Sequence, residues 1–235
     1  DRENEGDLCV IGEYATAESI NFMAKYGRGL ICLALTRLRT EQLGLTMMER
    51  RNESRHETAF TISIEAREGV TTGISAADRA LTIKTAINPA SGERDITTPG
   101  HIFPLVARDG GTLVRAGHTE AVVDISRACG SEMPSGVICE IMKDDGEMAR
   151  LPDLIGFAEK HDLKIASIAD LIAWRRRNES LVQRTVETSI TTRVGGDWRM
   201  VIYANNVSNI EHIVLVKGDI SSGDPVLVRM HALDL

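Results

Sequence analysis

The sequence predicts a mixed α/β (α+β) protein: one large domain with helices packed around a mixed sheet, followed by the start of a β-rich second domain. Two observations carry this. Apolar, β-branched runs alternate with capped helical stretches through about residue 175. Beyond the polar stretch 178–187 the pattern shifts to short strands broken by glycine turns. The expected organisation is a domain over 1–177, a linker over 178–187 and a partial domain over 188–235. A chain of 235 residues has room for one large domain with an appendage.

Each element has a local reason. Gly29–Thr36, Ala59–Glu65 and Val137–Met142 are rich in residues that suit a pleated, buried surface and read as strands. Thr16 caps a helix carrying Ile20, Met23 and Ala24 that closes near Gly27. Ser75 with Asp78 forms a capping pattern ahead of Ala80, Ile83 and Ile87. Thr119 opens a helix with Val122, Ile125 and Cys129 on one stripe and Gly130 at its end. Ser167 with Asp170 starts another, which ends in Trp174 and Arg175–Arg177. In the second part, strands are expected over Thr188–Val194, Trp198–Tyr203, His212–Val216 and Pro225–Met230, with Gly-rich turns between them.

Composition narrows the function. A net charge of −7 argues against a general nucleic-acid binder. No apolar run approaches the ~20 residues of a membrane span, and no signal peptide is visible. The chain opens without Met inside functional-looking sequence, so an upstream segment is expected. Cys9, Cys32, Cys129 and Cys139 lack metal-site or disulfide-framework spacing and read as reduced, mostly buried thiols of a cytoplasmic protein.

Several segments could carry chemistry. Asp1-Arg2-Glu3-Asn4-Glu5-Gly6-Asp7 crowds four carboxylates onto a turn-forming stretch. Such crowding suits a divalent cation or an acid–base site, and equally a solvated acidic terminus. Arg115-Ala116-Gly117-His118-Thr119-Glu120 joins a strand-like Thr112–Arg115 to a helix start, where free N–H groups and the helix dipole attract anions. There Arg115 and Thr119 suit a phosphate, and His118 could ligate a metal or move a proton. An ordinary capped helix is the competing reading. Gly69–Arg79 is a second phosphate-facing loop or a well-made cap. His101 sits in what reads as a rigid Pro99–Pro104 loop, catalytic or structural. Glu140 lies in an apolar strand, where it must be paired, coordinated or turned to water.

In this order, DRENEGDL (1–8), GVTTGISAADR (69–79), PGHIFP (99–104), RAGHTE (115–120) and GVICE (136–140) resemble 3,4-dihydroxy-2-butanone-4-phosphate synthase. Asp144-Asp145-Gly146 and Met148-Ala149-Arg150 extend the likeness, which spans residues 1–177. This is the riboflavin-pathway enzyme, a carbon–carbon lyase that converts ribulose 5-phosphate to a four-carbon ketone phosphate and formate. The resemblance implies an α/β homodimer with sites at or near the interface and Mg²⁺ as cofactor, Mn²⁺ being possible. It implies Glu3 and His118 as metal ligands. It places Arg2, Glu3, Asp7, Arg115, Ala116, Gly117, His118, Thr119 and Glu140 at the sugar phosphate, with Arg115 and Thr119 nearest the phosphate. His101 and Glu140 match positions essential for catalysis, and Glu5 shares the acidic loop. Ala116 departs from a common glycine, which is tolerable where the backbone angles are ordinary.

Residues 188–231 resemble the opening of GTP cyclohydrolase II through EHIVLVKGD (211–219) and PVLVRMH (225–231). That family continues Ser-Glu-Cys after the final His, the Cys being a zinc ligand. Here Ala232-Leu233-Asp234 follows His231, so a degenerate domain without cyclohydrolase activity is expected. An EF-hand reading of Asp1-x-Glu3-x-Glu5-Gly6 fails because Gly12 stands where the loop's last carboxylate belongs. Another Mg²⁺-dependent sugar-phosphate isomerase or aldolase shares the same chemistry and is separated only by the ordered motifs.

Overall fold

The apolar run around Leu33 becomes the centre of a five-stranded sheet. The computed structural model describes residues 4–48, 58–207 and 210–232. The chain divides into two compact units, Asp1–Glu179 and Ser180–Leu235. The first unit opens with β1 (Asp7–Ile11), α1 (Ala17–Phe22), β2 (Cys32–Leu35) and α2 (Arg37–Gln42). It continues with β3 (Ile64–Ala66), α3 (Ala76–Ile87), β4 (Ile96–Val106) and α4 (His118–Ala128). Then come β5 (Ser135–Glu140), α5 (Leu151–His161) and α6 (Ile168–Asn178).

The strand order is β1-β5-β2-β4-β3, with β2 and β4 parallel and every other pair antiparallel. All four residues of β2 are buried because both faces are covered. Leu33, Leu35, Val137, Cys139 and Ile102 pack on one face with Ile20 of α1 and Ile83 and Ile87 of α3. Cys32, Ala34, Ile138 and Leu105 pack on the other with Val122 and Val123 of α4. The two-residue period of the strands therefore decides what reaches the α4 side.

The caps form as the sequence implies. Thr16, Ser75 and Ser167 accept the N–H three residues on, at 3.3, 3.0 and 3.1 Å. Each such cap is worth about 1 kcal/mol. Helix α1 runs on through a π-type turn at Met23–Gly27.

Several sequence expectations are corrected. His101 lies within strand β4 and not in a loop: Ile102 is fully buried opposite Ile64, and the short β3 leaves little ladder for the prolines to interrupt. Thr112–Arg115 is not a strand. Gly110 and Gly111 adopt φ of 86° and 62°, and Asp124 takes both the N–H and the hydroxyl of Thr112, so the chain wraps into a short 3-10 turn. Helix α4 starts one residue early, at His118, and its packed stripe is Val122 and Val123, while Cys129 is exposed. Of the four free cysteines only Cys32 and Cys139 are buried.

The second unit is an antiparallel sheet of β6 (Val182–Thr192), β7 (Gly196–Asn205) and β8 (Glu211–Val216), in that order. Strand β6 begins inside the polar stretch 178–187, pairing Val182 with Asn205 across a bulge at Arg184/Val186. Pro225–Met230 forms no strand. It finds no partner strand among the described residues, and Leu227 and Met230 stand in solvent.

Candidate active site

The N-terminus of α4 is the centre of the site. Gly117 is its N-cap and supplies no side-chain cap, so the first-turn N–H groups keep their anion-attracting character. His118 and Thr119 open the helix, with Thr119 buried. Arg115 folds against the same turn, its Nη1 donating to Glu120 Oε2 at 2.6 Å. The other oxygen, Oε1, accepts the Arg108 N–H at 3.0 Å, and Glu120 is 1% exposed. A carboxylate so buried is held in one pose, and it holds the guanidinium with it. Ala116 is exposed and lacks a positive φ, so its methyl group costs nothing here.

The turn leading to Arg115 is anchored from below. Asp124 Oδ2 accepts from Thr112 N (2.8 Å), Thr112 Oγ1 (2.7 Å) and Arg175 Nη1 (2.7 Å). Arg175 also donates to the Gly110 carbonyl at 2.9 Å and grips Glu179 with two bonds. That grip keeps the Glu179 carboxyl below the usual carboxylate range.

Strand pairing brings the acidic groups to this point. Asp7 pairs with Glu140 across β1 and β5, which puts both on the α4 side. His118 Nδ1 lies 3.3 Å from Asp7 Oδ1. Glu140 is half-buried, and Oε2 accepts the Leu30 N–H at 2.9 Å, which supplies the partner its strand position requires. Gly29 makes that contact possible: a Cβ there would lie 2.6 Å from Glu140 Oε2 and 2.5 Å from its carbonyl oxygen.

The acidic loop is tied to α5. Arg150 Nη1 donates to the Asn4 carbonyl at 2.6 Å and lies 3.7 Å from Glu5 Oε1. Leu154 packs beneath Gly6. Arg2 and Glu3 lie outside the described residues.

His101 stands apart. His101 lies on β4, which β2 separates from the β5 strand of Glu140. Its neighbours are Glu65 and the loop 69–75. The structure therefore gathers Asp7, Glu140, His118, Arg115, Gly117 and Thr119, with Glu5 nearby, and leaves His101 in a second cluster.

Cys32 and Cys139, buried on β2 and β5, stay protonated. Burial raises both thiols, aided by the charges of Glu140 and Asp7, with Cys139 pushed up to about 12.

The donor set fits a hard divalent cation. Asp7 backs the Nδ1 side of His118, leaving Nε2 for a ligand, and further carboxylates stand close by. Among the described residues no group of three or more His, Cys, Asp or Glu could hold an ion unaided.

The sequence reading missed Glu65, Glu120, Asp124 and Arg175. Glu120 and Asp124 had a signal: two acids four apart on a helix, with Asp124 two residues from a packed Val122. Glu65, at the end of an apolar strand run, had almost none. Helix α5 was also missed; of its apolar residues only Leu154 is buried.

Comparison with known proteins shows the family and the fold. Residues 1–174 match the family model described as 3,4-dihydroxy-2-butanone 4-phosphate synthase, and residues 183–235 match GTP cyclohydrolase II. The chain is 53% identical over 231 residues to riboflavin biosynthesis protein RibBA of Bacillus cereus strain AH187, covering 98% of this chain and 57% of the relative. The same protein of Bacillus cytotoxicus is 51% identical. The chain thus spans a little over half the length of these curated relatives. Among solved structures, RibBX of A. baumannii, a two-domain 3,4-dihydroxy-2-butanone 4-phosphate synthase, superposes with a TM-score of 0.81 at 48% identity, over 95% of this chain and 65% of that one. A synthase solved in complex with two magnesium ions gives 0.71 at 39% identity, over 76% and 88%.

Proposed function

The chain belongs to the 3,4-dihydroxy-2-butanone 4-phosphate synthase family, and we propose that it converts ribulose 5-phosphate to 3,4-dihydroxy-2-butanone 4-phosphate and formate. The observation that carries the proposal is the meeting of Asp7, Glu140 and His118 at the uncapped start of α4, beside Arg115.

The reaction removes a proton beside a carbonyl, stabilises an enediolate, expels water and breaks a carbon–carbon bond. The phosphate binds Arg115, Thr119 and the N–H groups after Gly117, with Arg2 from the acidic loop. Glu3 and His118 would hold the divalent cation, Mg²⁺ or Mn²⁺, which would supply electrostatic stabilisation of negative charge. Glu140, fixed by the Leu30 N–H, and Asp7 and Glu5 accept and return protons. His101 serves proton transfer from the second cluster. The assembly is a homodimer with its sites at or near the interface, in the cytoplasm, without nucleic-acid or membrane partners. Among the described residues no helix is long and apolar enough to cross a membrane.

The test is incubation with ribulose 5-phosphate and Mg²⁺, with formate assayed directly. The proposal expects equal amounts of formate and four-carbon ketone phosphate, both abolished by EDTA. Accumulation of another sugar phosphate without formate would instead support an isomerase or aldolase.

A further inference from the structure

The second cluster holds more than a histidine. His101 Nδ1 lies 2.6 Å from Glu65 Oε2, a side chain only 9% exposed. The other Glu65 oxygen, Oε1, accepts from Thr82 Oγ1 at 2.9 Å. Thr82 is fully buried and itself accepts the Ala66 N–H at 3.0 Å, so its hydroxyl proton is committed to Glu65. Strand β3, helix α3 and strand β4 thus converge on one imidazole.

The loop 69–75 closes over the pair. A Cβ on Gly73 would lie 2.0 Å from Glu65 Oε2 and 2.4 Å from His101 Nδ1, and Gly73 has φ of 90°, so only glycine fits there. Asp78 pins the loop in place by accepting from Thr71 N (3.1 Å), Thr71 Oγ1 (2.7 Å) and Gly73 N (3.0 Å). One side of the imidazole is therefore enclosed. The side chain is nevertheless 42% exposed, and among the described residues its ring bonds only through Nδ1.

We propose that Glu65, braced by Thr82, is the positioning residue of His101: it fixes the Nδ1–H tautomer and presents Nε2 as the proton acceptor. An ionised carboxylate can only accept, so the proton of the short contact belongs to Nδ1. The unprotonated Nε2 is then the nitrogen open to substrate, and the carboxylate stabilises the imidazolium formed when it takes a proton. A histidine kept for packing alone would not need a buried carboxylate behind an exposed ring. This inference rests on the reading of His101 as a proton-transfer group in the synthase reaction.

Nitrogen-15 NMR of the full chain, with His101 assigned through His101→Ala, reads the tautomer directly and without turnover. The expected result is the Nδ1–H form in the native protein, with a shift toward Nε2–H in Glu65→Gln. Formate assays on Glu65→Gln should show kcat reduced roughly 10- to 100-fold with KM within about threefold, the range for loss of a group that orients a reacting ligand. Thr82→Val should reduce kcat by a smaller factor, and Thr82→Ser should restore it. An Nε2–H tautomer in the native protein overturns the proposal even where the variants fold poorly. So does an unchanged kcat in a folded Glu65→Gln. Full activity in His101→Ala would instead remove the catalytic reading of His101, and the tautomer measurement would still report what Glu65 does.

Discussion

His118 and His101 each sit against a carboxylate, yet the two pairs are built differently. His118 opens a helix, 3.3 Å from Asp7, with Arg115 and the free N–H groups of α4 around it. His101 lies mid-strand, 2.6 Å from a Glu65 that is itself clamped by Thr82. The looser pair, at a helix end rich in donors, leaves an imidazole suited to a cation and an anionic substrate. The tight pair has no such surroundings and presents one basic nitrogen. The two pairs thus differ in the element that supports them more than in residue type.

The comparison can be broken most forcefully at the cation. Glu3→Ala or His118→Ala should lower formate release by on the order of 10³-fold, the size of losing a principal electrostatic group, with far-UV circular dichroism unchanged. Normal release from either variant would remove the metal assignment. Next in size is Glu120→Ala, which strips a fully buried carboxylate from Arg115. It should cost about 3 kcal/mol in urea unfolding and raise KM for the sugar phosphate. The equivalent change at the other cluster, Glu65→Gln, should act on kcat instead.

Gly29→Ala should be smaller, about 1–3 kcal/mol of overpacking against Glu140, accompanied by reduced activity because the Leu30 bond must shift. The smallest effect concerns pH. Hydrogen bonds from Thr71, first its hydroxyl and then its N–H, with Gly73 and Ser75, hold Asp78 below the ordinary carboxylate range. A depressed folded pKa contributes stability above the unfolded value, near pH 4, which is lost as pH falls through the folded one. The protection of the Thr71 and Gly73 amides against exchange, relative to their intrinsic rates, should therefore fall on acidification, and Asp78→Asn should flatten that dependence.

The legibility of this molecule in its sequence follows its physics. Caps at Thr16, Ser75 and Ser167 were readable because a hydroxyl followed by a helix start is a local signal. Asp7 and His118 were readable as candidates because each falls in a short motif dense in polar residues. Their meeting was not, since it depends on the Asp7–Glu140 register, which joins residues far apart in the chain. The Pro-rich segment around His101 looked like a loop because proline lacks a donor, and only the short neighbouring strand makes β4 possible. Glu65 was hidden for a related reason: its role comes from Gly73, Thr82 and His101, each on a different element.

The division of labour between the two histidines is open to one direct measurement. Mn²⁺ binding, read by electron paramagnetic resonance on the full chain, should weaken at least tenfold in His118→Ala and stay at the native value in His101→Ala. Equal weakening in both variants, or native binding in His118→Ala, would contradict the account.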